Sequence, residues 1–75
     1  MDIVDLAIHV EQALDVEAQR RLEEQLRSVE GVIAPRFNEP HAHLLLIAYD
    51  PAKVESSRLL HTVTAAGYRA SLVGL

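Results

Sequence analysis

Residues 3 to 10, IVDLAIHV, alternate between apolar and polar positions with a period of two. Val4, Leu6, Ile8 and Val10 fall on one face, and Asp5, Ala7 and His9 on the other, as in a half-buried β-strand. From residue 16 to 30 the period changes. Ala18, Leu22, Leu26 and Val29 recur at spacings of four, four and three, which lays one apolar stripe along a helix. Glu17 with Arg21 and Glu23 with Arg27 are pairs four apart on the polar side, each worth ~0.3 kcal/mol. Asp15 is placed to cap this helix and Gly31 to stop it.

The second half repeats the scheme in another order. VIAPRFN, residues 32 to 38, has strand composition, but Pro35 cannot donate to a ladder, so this strand belongs at a sheet edge or carries a bulge. NEP, residues 38 to 40, marks a turn. AHLLLIAY, residues 42 to 49, is the most apolar run and reads as a central strand. Asp50-Pro51 opens a turn, Ser56 is an N-cap candidate, and Leu59, Leu60, Val63 and Ala66 form a second helical stripe that ends at Gly67. YRASLV, residues 68 to 73, is a short last strand. The order β-α-β-β-α-β predicts an α+β, ferredoxin-like sandwich with a four-stranded antiparallel sheet and two helices on one face. The whole chain, residues 1 to 75, reads as a single domain.

Composition narrows the functions. Seven basic against eleven acidic side chains leave a net charge of −4, which disfavours nucleic acid and anionic membrane surfaces as partners. No apolar run is long enough to cross a bilayer, and MDIVDLAIHV has the wrong charge for a signal peptide, so a cytoplasmic protein is expected. The absence of cysteine removes disulfides, thiolate nucleophiles and sulfur-ligated metals. Ser28, Ser56, Ser57 and Ser71 lack a recognisable base and oxyanion context, and there is no glycine-rich phosphate loop, so no enzyme is expected. Phe37, Tyr49 and Tyr68 are too few to form an RNA-stacking platform.

Three segments carry a resemblance to a known family. VEQALDVEAQRRLEEQLRSVEGV (residues 10 to 32), YDPAKV (49 to 54) and AAGYRASLV (65 to 73) together resemble the heavy-metal-associated (HMA) domain of copper chaperones and metal-pumping ATPases. That resemblance implies the ferredoxin-like fold, a place in metal transport and a Met-x-Cys-x-x-Cys loop for a soft ion. Laid on this chain, the methionine falls at Ala13, the first cysteine at Asp15 and the second at Ala18. Asp15 is a hard oxygen donor and Ala18 has no donor, so no metal is expected at this degenerate loop. No cofactor is expected either.

Two alternatives use other residues. His9, His41 and His43 fall near one end of the expected sheet, where imidazoles would suit Zn, Ni or Cu(II). Strand parity leaves the cluster open. If Leu45, Ile47 and Tyr49 face the helices, His43 points inward and His9 outward; if Leu44, Leu46 and Ala48 do, all three histidines share the outer face. Leu44 and Leu46, with Ala7, are also candidates for an outer apolar patch that meets a protein partner or a second copy. The expected function is a non-enzymatic HMA-like protein-interaction or accessory module in a metal or redox pathway. Histidine-based metal-ion binding or transport is the alternative.

Overall fold

A computed structural model of the chain describes residues 2–38 and 43–73. Six elements follow in the order β1 (Val4–Val10), α1 (Val16–Arg27), β2 (Val32–Phe37), β3 (Leu44–Tyr49), α2 (Ser56–Ala65) and β4 (Ala70–Val73). The strands form one antiparallel sheet in the order β2-β3-β1-β4. Both helices pack on the same side, giving the expected ferredoxin-like sandwich.

The register settles which face of β3 is buried. Leu6 lies opposite Ile47 and Ile8 opposite Leu45, so the alternating apolar set of β1 selects Leu45, Ile47 and Tyr49 for the core. Leu44, Leu46 and Ala48 point to the open side and remain half-buried. Leu22 and Leu26 from α1, and Leu59 and Val63 from α2, complete the fully buried centre. Each such side chain contributes about 1.5–3 kcal/mol by leaving water.

Pro35 occupies an edge strand, as its missing N–H requires, and the β2–β3 register shifts between Val32 and Ala34. The Asn38 N–H donates to the Leu44 carbonyl (2.8 Å). Strand amides alternate in direction, so the amide positions of residues 35 and 37 face away from β3. Pro35 has no hydrogen to offer there, and the Phe37 N–H donates to Glu23 Oε2 of α1 (3.3 Å). Glu23 therefore braces the strand edge instead of pairing with Arg27. The Glu17–Arg21 pair does form, loosely, at 3.8 Å and largely in solvent.

Other helix boundaries move for local reasons. α1 ends at Arg27 with Ser28 as its cap, and residues 28 to 30 turn toward Gly31, whose φ is +99°. A side chain there would meet Lys53 Cβ at 2.8 Å and Val54 Cγ1 at 3.0 Å. The contact exists because the Gly31 carbonyl accepts the Asp50 N–H (2.8 Å), which presses the 50–54 turn against it. Asp50 Oδ1 accepts the Ala52 N–H (3.0 Å) and shapes that turn. At α2 the N-cap is Glu55 rather than the expected Ser56, because the Glu55 carbonyl accepts the first helical amides, those of Arg58 and Leu59. Glu55 makes no side-chain cap bond.

Candidate functional site

The loop between β1 and α1 is held by hydrogen bonds within the chain. The Glu11 N–H donates to the Arg69 carbonyl (2.8 Å), and the Arg69 N–H donates to Gln12 Oε1 (3.0 Å). Leu14 is buried, and Gln19 Nε2 donates to its carbonyl (3.0 Å). Asp15 caps α1, its Oδ1 accepting the Ala18 N–H at 2.8 Å. The two positions that the sequence resemblance assigns to sulfur are thus joined by a capping hydrogen bond. Between them Val16, the first residue of α1, is a large apolar side chain that is 61% exposed.

His9 and His43 come together at the same end of the sheet. Their rings are nearly parallel, 15° apart, with centroids separated by 6.0 Å. Strand parity separates the two residues, but His43 lies one position before β3 begins and escapes it. Its backbone carbonyl accepts the Val10 N–H (2.7 Å), and its Nδ1 bonds the Val10 carbonyl (2.8 Å). A carbonyl only accepts, so Nδ1 is the donor in this bond, and in the neutral tautomer that does this the lone pair lies on Nε2. His41 lies outside the described residues. Among the described residues, no group of three or more His, Asp or Glu side chains is arranged to hold a metal ion. His61 is exposed on α2, beside an interhelical groove of about 360 Å³ that Gln25 and Arg58 also line.

The open face of the sheet has Leu46 near its centre. Ala7, opposite both Leu46 and Val73, is only 2% exposed because its neighbours on β3 and β4 cover it. Leu44 and Leu46 are half-buried and Ala34 is exposed. A shallow hollow of about 40 Å³ lies among Asp5, Ala34, Arg36, Leu46 and Ala48. Asp5 and Arg36 were not legible as site residues, because only the strand register shows that they share this face. No helix among the described residues is long and apolar enough to cross a membrane.

Solved structures show the same architecture over nearly the full chain. Oxidized MerP from Ralstonia metallidurans CH34 is similar with a TM-score of 0.84 and 18% identity, over 97% of this chain and 100% of that one. The N-terminal domain of a potential copper-translocating P-type ATPase from Bacillus subtilis, in its Cu(I)-loaded state, gives 0.86 and 23%, over 97% and 90%. The CopZ metallochaperone gives 0.80 and 21%, over 93% and 100%. These likenesses show the fold, a ferredoxin-like sandwich shared with MerP and CopZ. No family model and no curated protein matches the chain.

Proposed function

We propose that the chain is a non-enzymatic accessory module of a metal- or redox-handling system, that it works by protein contact, and that its β1–α1 loop carries no soft-metal site. One observation supports this most. The fold follows metallochaperone-type structures from end to end, while the loop positions matched to sulfur hold a capping carboxylate and a methyl group. A thiophilic cation such as Cu(I) finds no soft donor in that set, and Asp15 Oδ1 is already engaged. Val16 at the start of α1 gives the same end an exposed apolar contact point for another protein. The reading includes a cytoplasmic setting, and a net charge of −4 keeps so small a domain soluble.

The stacked imidazoles support a second reading, metal binding at His9 and His43. The Val10 carbonyl orients the His43 ring and leaves Nε2 as a donor suited to Zn, Ni or Cu(II). Titration of the ¹⁵N-labelled protein with each ion, and anaerobically with Cu(I), tests both readings. The accessory reading expects no saturable Cu(I) shift across residues 13 to 18. Saturable micromolar shifts there would overturn it. Shifts confined to His9 and His43 on adding Zn, Ni or Cu(II), and lost in His43→Ala, would establish the second reading instead.

A further inference from the structure

Among the described residues, Asp5 and Arg36 are the only Asp, Glu, Lys or Arg side chains on the strands, and they have opposite sign. Both belong to the open face: Asp5 lies opposite Ala48, and Arg36 lies opposite Leu46. They sit two strands apart on either side of β3 and are offset by one step of the pleat repeat. With strands 4.8 Å apart and a rise of 3.3 Å per residue, their Cα atoms are separated by about 12 Å. Neither side chain forms an ion pair among the described residues, although both line the hollow on this face.

We infer that the open face is a self-association surface, on which a second copy of the chain packs about a two-fold axis so that Asp5 of each copy meets Arg36 of the other. This rests on the protein-contact reading above and names the partner. The midpoint between the two charges falls on β3, between Leu46 and Ala48, the least polar part of the face. A two-fold axis lying in the face along the perpendicular bisector superposes each charge on its opposite. The same operation brings the two Leu46 side chains to about 4 Å from one another in projection, beside the hollow. The strands of the two sheets then cross at roughly 70°, nearer the orthogonal class of sheet packing than the aligned one.

Self-complementarity of this kind favours a copy of the same chain over an unrelated protein. At residues 35 and 37 the free edge of β2 offers an incoming strand no amide hydrogen, since Pro35 has none and the Phe37 N–H is taken by Glu23. Size sets the strength. With strands of seven, six, six and four residues, the face covers ~360 Å² per copy, or ~730 Å² for the pair, below the range of stable interfaces. The dimer is therefore expected to be weak and reversible.

Sedimentation velocity across about 10 μM to 1 mM tests this. The wild type is expected to dimerise with concentration. Asp5→Arg and Arg36→Asp place like charges face to face twice in each dimer, and each is expected to weaken association about tenfold or more. An equimolar mixture of the two variants is expected to regain dimer, because each then presents the charges that the other lacks. The double variant D5R/R36D is expected to regain it alone. Recovery in the mixture also shows that both variants are folded. A wild type that stays monomeric at about 1 mM, or a mixture no stronger than its components, overturns the inference. A monomeric wild type leaves the Cu(I) titration of the loop untouched, whereas Cu(I) binding there would sink the accessory reading and leave the dimer intact.

Discussion

Gly31 and Gly67 form a natural pair for measuring what close packing costs in this fold. Their φ angles are nearly equal, +99° and +101°, so alanine at either position bears a similar backbone penalty. That penalty is about 1–2 kcal/mol for an L-residue in the left-handed region. It is offset by ~0.4–1 kcal/mol, because alanine also stiffens the unfolded chain. The surroundings differ. At Gly67 a Cβ meets nothing within 4 Å, while at Gly31 it lies 2.8 Å from Lys53 Cβ and 3.0 Å from Val54 Cγ1. Lys53 Cβ is fixed to the backbone, so relief requires moving the 50–54 turn and straining the Gly31–Asp50 hydrogen bond. Overpacking of this kind costs about 1–3 kcal/mol. Gly67→Ala is therefore expected to lose roughly 0.5–1.5 kcal/mol and Gly31→Ala roughly 2–4 kcal/mol. A chain of this length has a total stability of roughly 4–11 kcal/mol, so the second loss is a large share of it. Urea unfolding of both variants, at unchanged m-value, measures the difference directly. Equal losses at the two positions would refute the packing argument, because only the contact with the 50–54 turn distinguishes them.

Other consequences are as direct. Glu55→Ser supplies the side-chain acceptor that α2 lacks at its N-cap and is expected to raise stability by about 0.5–1 kcal/mol in the same assay. Asp15→Ala removes the α1 cap and is expected to cost about 1 kcal/mol, with Asp15→Asn restoring most of it; no loss in Asp15→Ala would show that the loop's other hydrogen bonds suffice. Leu45→Ala opens a cavity at a fully buried position of the core and is expected to cost about 2–5 kcal/mol. Glu23→Ala frees the Phe37 amide, whose hydrogen exchange is expected to accelerate while the β2–β3 ladder amides hold their rates.

The order of elements was legible because each period in the chain is clean. β1 alternates strictly, and α1 keeps one stripe from Ala18 to Val29. LLLIAY in β3 was not legible in the same way, since both of its faces are apolar and no local rule chooses between them. Pairing with β1 makes the choice, and pairing is long-range information. The loop at Asp15 was readable because a cap is a local device, three residues from its donor. His43 was not, because parity stops where the strand stops and its ring is aimed by a carbonyl 33 residues away in sequence. Glu23 illustrates the same limit. Helical spacing suggested Arg27, but a backbone amide of β2 is its partner.

The brace from Glu23 to Phe37 has a consequence for the chain before it is fully folded. Once α1 is docked, the outer edge of β2 shows an incoming strand no amide hydrogen at residues 35 or 37, and sheet growth in that direction lacks its donors. Pro35 gives that protection from the start, as covalent structure. The Phe37 half arrives only with α1, so a partly folded chain with an assembled sheet and a loose helix is open to strand addition at one amide. The helix that covers the core thus also withdraws the Phe37 amide from the β2 edge.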